Sequence, residues 1–190
     1  MSSKDQAKWD KKYSATDHVP ASEPSEWLES HAFLLPGTGK ALDIAAGEGR
    51  NTVFSALLGY DAYAVDVSQA GLDKAKLLAN EKKAKISAIY ADLDEYRPEP
   101  NEYDLILCFN FLDRKLFPAI QTALKPGGLL FYETFSSDHL KYTSFKREWV
   151  LEPNELLKVF HDLRVLRYRE VDDTEAQKGF ASLIAQKPIA

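Results

Sequence analysis

The sequence of 190 residues has little of several features, and each shortage excludes a class of protein. It contains one cysteine, so no disulfide can form within the chain, and the reducing cytoplasm is its expected compartment. Its uninterrupted apolar runs are far shorter than the ~20 residues of a membrane-spanning helix. The charged N-terminal segment also lacks the apolar stretch of a secretory signal. We therefore predict a cytoplasmic protein with no membrane partner.

An excess of basic residues is also missing, since 24 Lys and Arg stand against 29 Asp and Glu, a net charge of -5. This balance argues against a nucleic-acid partner, which would favour a basic surface. The 9 glycines and 9 prolines are too few for a low-complexity chain, and 45% of the residues are hydrophobic. The composition predicts one packed domain over residues 1–190, with a helical extension or lid at 1–36 and a core at 37–190.

Beyond residue 40, β-prone apolar runs alternate with helical segments. The predicted strands of this region cover residues 41–45, 62–67, 86–91, 103–109 and 129–135. Such alternation predicts a parallel sheet with right-handed crossovers and helices on both faces. Two later runs, 163–171 and 180–186, are joined by a polar turn too short for a helix, so they should pair antiparallel. The pattern predicts a Rossmann-like, doubly wound α/β fold of seven strands, five parallel and two in a C-terminal hairpin.

The remaining segments carry helix signals. The predicted helices cover residues 4–13, 51–58, 68–82 and 114–124, and two more begin at Pro24 and Pro153. Proline is favoured in the first turn of a helix because its missing N–H would have no partner there. A loop is predicted over residues 14–23, between the first two helices.

The strongest local signal follows the first predicted strand, where Gly47 and Gly49 lead into a helix. Glycine adopts backbone angles closed to other residues and lets a ligand lie against the main chain. Many strand-to-helix turns carry a glycine pair for conformational reasons alone, so the pair needs support. Asp66, nineteen residues after Gly47, can accept both hydroxyls of a ribose, although it could also be a helix cap or a solvated strand end.

The choice of nucleotide depends on the residues around this loop. A dinucleotide fingerprint needs a third glycine, and Thr52 stands in its place. Asp43, within the first strand, would repel a pyrophosphate but suits a cationic amino-acid head. After the third strand, Asp92 could receive an adenine amine and Leu93 could pack on the ring, or Asp92 could be a solvated turn residue. These residues favour S-adenosylmethionine over NAD.

The chain resembles the class I S-adenosylmethionine-dependent methyltransferases. The resemblance rests on the segment 42–49, on Asp66, on Asp92 with Leu93, and on the Leu-Lys-Pro-Gly-Gly segment 124–128. More narrowly, the segments 9–13, 49–51 and 132–135 are similar to the tellurite-resistance-type small-molecule branch. The chain departs from the family at Ala45, where glycine is frequent.

The resemblance implies S-adenosyl-L-methionine as methyl donor and S-adenosyl-L-homocysteine as product. It implies cofactor contacts from Asp43, Ala45, Ala46, Gly47, Gly49, Asp66, Val67, Asp92, Leu93, Phe109 and Asn110. The candidates for the acceptor site are Trp9, Tyr13, Arg50, Asn110, Arg114, Glu133 and Phe135. No catalytic base is identified, because a sulfonium methyl is already electrophilic and its transfer depends chiefly on orientation and desolvation.

Three of the acceptor candidates have ordinary structural alternatives. Trp9 and Tyr13 could simply pack a helix against the body of the protein. Arg50 could form a surface ion pair with Glu48 or Asp43. These alternatives stay open on the sequence alone.

Two residues within strand runs need a structural explanation. Glu133 ends an otherwise apolar run, so its carboxylate needs a partner, and Arg114 or Arg50 would suffice. Cys108 is interpreted as a small buried core residue. The four histidines show no spacing with Cys or carboxylates that suggests a metal site, so none is predicted.

The sequence thus predicts methyl transfer from S-adenosylmethionine to a small-molecule acceptor, with a thiol or a chalcogen compound of the tellurite or selenite type implied by the branch. A non-catalytic S-adenosylmethionine-binding module is the alternative, because a fold does not dictate function. A short-chain dehydrogenase is a third interpretation, since Tyr142 and Lys146 have that family's catalytic spacing, but no glycine-rich dehydrogenase turn accompanies them. A monomer and a homodimer are both compatible with the sequence.

Overall fold

The computed structural model describes residues 3–15 and 22–189, so residues 16–21 of the predicted loop lie outside the described part. The strands are β1 (Lys40–Ile44), β2 (Asp61–Asp66), β3 (Ile86–Tyr90), β4 (Tyr103–Phe109), β5 (Leu124–Phe135), β6 (Arg164–Asp173) and β7 (Lys178–Gln186). They form one sheet in the order β3-β2-β1-β4-β5-β7-β6. The first five strands are parallel, and β7 lies antiparallel between β5 and β6. The predicted architecture is confirmed.

Helices cover both faces of the sheet. The α-helices are α1 (Ser3–Tyr13), α2 (Glu26–Ser30), α3 (Arg50–Leu57), α4 (Gln69–Glu81), α5 (Phe117–Ala123) and α6 (Glu155–Val159). Short 3-10 turns cover Ala32–Leu34, Arg114–Leu116, Ser137–Lys141 and Arg147–Trp149. Within the described ranges, no helix combines the length and the apolar character needed to cross a membrane.

Strand β5 begins five residues before its predicted start at residue 129. The added segment contains Gly127, whose φ of 82° favours glycine, and Gly128. A Cβ at Gly128 would lie 2.9 Å from the carbonyl oxygen of Lys125 and 3.0 Å from that of Tyr103. These glycines let the chain pass close to β4 despite a register irregularity between Tyr103 and Leu105.

The central strands are buried on both sides, as their unbroken apolar runs predict. On one face, β4 contributes Ile106 and Cys108 to a cluster that α5 and α6 cover. On the other face, Leu105 and Leu107 pack with Trp27 of α2. Cys108 is 1% exposed, which confirms its interpretation as a core residue.

The loop between β1 and α3 takes several left-handed backbone conformations. Gly47 and Gly49 have φ of 55° and 74°, and Ala45 has φ of 58°. An L-residue with a Cβ adopts this region at a cost of roughly 1–2 kcal/mol. The backbone at Ala45 therefore explains why a glycine is frequent there in the resembling family.

Replacing Ala45 by Gly should remove this conformational cost. The glycine also gives the unfolded chain more conformational freedom, which lowers the free energy of unfolding by about 0.5–1 kcal/mol. The free energy of unfolding of Ala45→Gly should equal or exceed that of the wild type by up to ~1 kcal/mol. The neighbouring Ala46→Gly, where φ is not positive, should lower it by about 0.5–1 kcal/mol. Urea titrations of the two variants measure this contrast, and equal losses in both would contradict it.

Candidate cofactor and acceptor cavity

A cavity of about 720 Å³ lies at the carboxyl ends of β1, β2, β4 and β5. Its volume falls within the ~300–1,000 Å³ typical of small-molecule sites. This is the edge of the sheet, beside the switch point between β1 and β4, where doubly wound folds bind ligands. Helix α1 and the segment after β5 supply the rest of its lining.

Asp66 connects two loops at one end of this cavity. Its Oδ2 accepts the backbone N–H of Gly47 and its Oδ1 accepts that of Ser68, each at 2.8 Å. The side chain is buried, and this burial raises the pKa of its carboxyl despite the two hydrogen bonds. Each carboxylate oxygen keeps a further acceptor position, so Asp66 can receive ribose hydroxyls without releasing either loop.

Asp43 lies beside it as a second buried carboxyl. It is 3% exposed, and the Thr52 hydroxyl donates to its Oδ2 at 2.7 Å. Burial raises the pKa of Asp43 to about 7, while the Thr52 hydrogen bond and the charge of Arg50 oppose the rise. A cationic ligand group near Asp43 would favour the ionised carboxylate. The site therefore suits an ammonium or sulfonium ligand at this end.

The two glycines of the loop allow two different close contacts. A Cβ at Gly47 would lie 2.7 Å from the hydroxyl oxygen of Tyr13, so glycine is what lets α1 approach the loop. A Cβ at Gly49 would lie 2.5 Å from the Cβ of Ala75, so Gly49 lets α3 pack closely beside α4. Gly47 lines the cavity and Gly49 does not.

Helix α1 is fixed across the cavity by Asp10. Its Oδ1 accepts the Ser68 hydroxyl at 2.6 Å and the backbone N–H of Ala70 at 3.2 Å, at the N-terminus of α4. The Ser68 hydrogen bond does most to lower the pKa of Asp10. Trp9 and Tyr13 stack with ring centroids 5.7 Å apart and both line the cavity. These two side chains thus pack on the body and face the site at once.

An aromatic wall closes the other end of the cavity. We use this name for Phe135, Phe145 and Trp149, whose neighbouring ring centroids lie 5.5 and 6.0 Å apart. The buried His139 stacks behind Phe135 at 4.2 Å, and its burial lowers its pKa. The sequence analysis missed Phe145 and Trp149, which lie in the irregular segment after β5 and stay 39% and 48% exposed.

The remaining cavity residues come from the end of β4 and the start of α3. Phe109 and Asn110 line the cavity as expected of cofactor contacts, and Asn110 adopts a φ of 55°. Ala45, Ala46 and Arg50 line it too. Besides Phe145 and Trp149, the lining residues that the sequence analysis did not propose for the site are Lys8, Lys12, Glu48, Asn51, Phe111, Leu112 and Thr134.

The ion pairs considered for Arg50 do not form. Its Nη1 donates to the carbonyl oxygen of Glu23 at 3.5 Å. Glu48 pairs with Lys74 instead, at 3.2 Å. The positive charge of Arg50 therefore faces the cavity without a carboxylate bonded to it among the described residues.

Arg114 lies outside the cavity. Its Nε and Nη2 donate to the two carboxylate oxygens of Glu155 at 2.6 and 2.9 Å. Its Nη1 and Nη2 donate to the carbonyl oxygens of Glu148 and Val150, each at 2.9 Å. With four hydrogen bonds to these groups, Arg114 fixes the segment after β5 to α6.

Glu133 lies outside the cavity as well, and its predicted partner was wrong. Its Oε2 accepts the Ser182 hydroxyl at 2.6 Å and an N–H of Arg169 at 3.3 Å. Arg169 also lies 4.3 Å from the ring centroid of Trp27. The partner is thus Arg169 of β6 rather than Arg114 or Arg50, because the β5–β7–β6 pairing brings that strand beside Glu133.

Besides Gly49, three predicted cofactor contacts do not line the cavity. Val67 and Leu93 are buried, Leu93 within the core cluster beneath α5 and α6. Asp92 is half-buried, and its Oδ1 accepts the backbone N–H of Asp94 at 2.9 Å. Their roles stay predictions.

Tyr142 and Lys146, which have the dehydrogenase spacing, do not act as a catalytic pair, because each contacts a different residue. The Tyr142 hydroxyl donates to Asp172 at 2.6 Å, and this hydrogen bond raises the pKa of the phenol. Lys146 pairs with Glu148 at 3.6 Å. A catalytic tyrosine would need the opposite shift in pKa. Nor does the described part of the chain hold three or more His, Cys, Asp or Glu side chains arranged for a metal ion.

Comparison with known proteins agrees with this geometry. Residues 41–128 match the sequence model of a family described as "Methyltransferase domain". A ubiquinone biosynthesis O-methyltransferase of Acinetobacter baylyi is 29% identical over 123 residues, which are 61% of this chain and 51% of that protein. Its namesake from Paraburkholderia phymatum is 33% identical over 125 residues, 62% of this chain and 52% of that protein. The chain spans about half the length of these curated relatives.

Solved structures share the fold at low sequence identity. TehB from Haemophilus influenzae has a TM-score of 0.69 at 22% identity, over 96% of this chain and 66% of that chain. An S-adenosylmethionine-dependent methyltransferase from Mesorhizobium loti has a TM-score of 0.67 at 18% identity, over 86% of this chain and 98% of that chain. The chain therefore has the class I methyltransferase fold that the resemblance implies, and the family match over residues 41–128 agrees with it. The Mesorhizobium loti protein is named as dependent on S-adenosylmethionine, which is the cofactor that the sequence predicts for this chain.

The raised pKa of Asp43 predicts a pH dependence of stability. The folded-state pKa of about 7 lies above the unfolded value of about 3.9, so folding favours the neutral carboxyl. Its contribution is complete below pH ~4 and is lost as the pH rises toward 7. Asp43→Asn stays neutral, so its stability relative to the wild type should rise by about 2 kcal/mol between pH 5 and pH 8.

Urea unfolding of the ligand-free protein at both pH values measures this change. Asp73→Asn, at an exposed position of α4, is the control and should follow the wild type. A constant difference between Asp43→Asn and the wild type would show that Asp43 is ionised throughout this pH range.

Proposed function

We propose that this chain transfers the methyl group of S-adenosylmethionine to a small-molecule acceptor bound between the glycine loop and the aromatic wall. The observation that carries the proposal is the pair of buried carboxyls, Asp43 and Asp66, on either side of Gly47. A cationic amino acid joined to a ribose matches this pair better than a pyrophosphate does, because the pyrophosphate would face two carboxylates.

In this proposal, each residue of the site contacts a different part of the cofactor. Asp66 accepts the ribose hydroxyls, and Asp43 faces the cationic part of the methionine moiety. Arg50, at the start of α3, faces its carboxylate. Asp92 and Leu93 stay the candidates for adenine. The segment 1–36 acts as a lid, since α1 lies across the cavity.

The reaction depends more on the orientation of the two reactants and on the exclusion of water than on a general base. S-adenosylmethionine supplies an electrophilic methyl on a positively charged sulfur. A lone pair of the acceptor forms the new bond to the methyl carbon, the carbon–sulfur bond breaks, and its electron pair neutralises the sulfur. Phe109, Phe111 and Phe135 line this part of the cavity and exclude water from it.

A thiol or another chalcogen nucleophile is the acceptor that this environment supports best. Among the described residues, the titratable side chains of the lining are Asp43, Glu48 and Asp66 at the cofactor end, the cations of α1 and α3, and Tyr13, whose phenol pKa is raised by burial. The aromatic wall offers no base. A nucleophile that arrives ionised, as a thiol does in part near neutral pH, needs none.

An oxygen acceptor is the second candidate. The relatives with 29% and 33% identity are named as O-methyltransferases of ubiquinone biosynthesis. The flat aromatic wall would also suit a phenol ring. Assaying an aryl thiol and the matching phenol with the same enzyme separates the two, because the phenol must lose its proton without a nearby base. A cofactor-binding module without activity would turn over neither.

Asp66→Asn tests the cofactor site. The amide keeps the shape but removes the charge and one acceptor, so affinity for S-adenosylhomocysteine should fall at least about tenfold. Asp61→Asn, at the opposite end of β2 and in contact with Tyr63, is the matched control and should bind like the wild type. Calorimetry with S-adenosylmethionine, S-adenosylhomocysteine and NADH measures both variants. Tight NADH binding, or an unchanged affinity of Asp66→Asn for S-adenosylhomocysteine, would contradict the proposed cofactor site.

A further inference from the structure

Two pairs of charged side chains face the cavity from opposite elements of the fold. The carboxyls of Asp43 and Asp66 lie at the ends of β1 and β2. The cations Lys8 and Lys12 line the cavity from α1. A ligand that fills the cavity thus meets negative groups from the sheet and positive groups from the helix across it.

Lys8 and Lys12 form one stripe of α1. They are four residues apart, so they lie on the same side of the helix, and the Trp9 ring stands between them. The Lys12 ammonium lies 4.6 Å from the centroid of that ring and the Lys8 ammonium 5.5 Å. Contact with the ring face holds both ammonium groups at the edge of the cavity.

Neither lysine has an ion-pair partner among the side chains that the structure describes, those of residues 6–15 and 22–189. The other cavity charges are engaged differently: Glu48 pairs with Lys74, and Arg50 stands beside the glycine loop where the cofactor carboxylate is proposed. The two lysines are therefore cations that face a ligand pocket, and none of the described carboxylates is paired with them.

We propose that Lys8 and Lys12 bind an anionic group of the methyl acceptor. The acceptor is then a small molecule with a flat apolar body, which packs on the aromatic wall, and a carboxylate or similar anion, which faces α1. This inference rests on the proposed function, whose cofactor site is the one that the acceptor adjoins. It adds a property that the fold and the relatives do not specify, namely the charge of the acceptor.

Two aryl thiols of equal size test the charge preference. The protein saturated with S-adenosylhomocysteine is titrated with 4-mercaptobenzoate and with 4-mercaptobenzamide, so turnover is not required. The wild type should bind the benzoate about five- to tenfold more tightly, because two ammonium groups at the edge of the cavity face it. This preference should shrink as ionic strength rises from 0.01 to 0.15 M, since salt shortens the range of the attraction.

Lys8→Gln/Lys12→Gln should abolish the preference and leave the affinity for the benzamide unchanged. Lys11→Gln/Lys76→Gln removes the same charge from positions outside the cavity and should keep the preference. Equal affinity for the two thiols in the wild type, binding of neither, or the same loss in both double variants would overturn the proposal.

The anion could instead be the carboxylate of the cofactor, and a second titration separates this source. S-adenosylhomocysteine carries that carboxylate, and 5′-methylthioadenosine lacks the whole amino-acid part. Lys8→Gln/Lys12→Gln could lower the affinity for S-adenosylhomocysteine at least about fivefold and leave the affinity for methylthioadenosine unchanged. In that case the lysines would belong to the cofactor site, and the acceptor proposal would fail. Failure of S-adenosylhomocysteine to bind the wild type would be a different result, because it would refute the proposed function itself.

Discussion

The Asp66 carboxylate joins the loop after β1 to the loop after β2, and the geometry of the cavity depends on this connection. The N–H groups of Gly47 and Ser68 would otherwise point into a buried region without a partner, which costs roughly 1–3 kcal/mol for each group. The Asp66 carboxylate accepts a hydrogen bond from each of these two N–H groups. Ser68 in turn caps α4 and donates to Asp10, so the same connection reaches α1. A local change at Asp66 therefore alters the floor of the cavity and its cover together.

Burial of two carboxyls in this small region has an electrostatic cost that a cation can offset. Desolvation raises the pKa of both Asp43 and Asp66, which means that the fold holds their charged forms less favourably than water does. A positively charged sulfur and ammonium placed beside them would stabilise the ionised forms. The site is thus prepared for a cationic ligand by its desolvation, and the glycines allow that ligand to approach the main chain.

Much of the fold could be predicted because its signals are local. The unbroken apolar run of β4 and the glycines after β1 each express their structural role within a few residues. The partners of charged side chains could not be predicted in the same way. Arg114 meets Glu155 and Glu133 meets Arg169, each pair separated by more than 35 residues, and only the strand order brings them together.

The acceptor end of the cavity was the least predictable part for the same reason. Phe145 and Trp149 belong to an irregular segment without periodicity, and their position follows from ring contacts with Phe135 and from the hold of Arg114 on that segment. Cofactor recognition, by contrast, uses strand ends whose spacing is visible in the sequence. In the proposed function, the regular sheet would thus determine where the methyl donor lies, whereas the irregular segment after β5 would determine which acceptor can bind.

Helix α1 couples these two parts of the site. Tyr13 reaches the backbone of Gly47, Asp10 binds the first turn of α4, and Trp9 faces the acceptor end on the same helix. Since Gly47 also binds Asp66, any ligand that orders the glycine loop stabilises the surface on which α1 rests. Occupation of the cofactor site should therefore favour the docked helix, and the docked helix completes the acceptor site. In the proposed function, the cofactor would then bind first and the acceptor second, because the acceptor contacts α1, which the bound cofactor helps to hold in place.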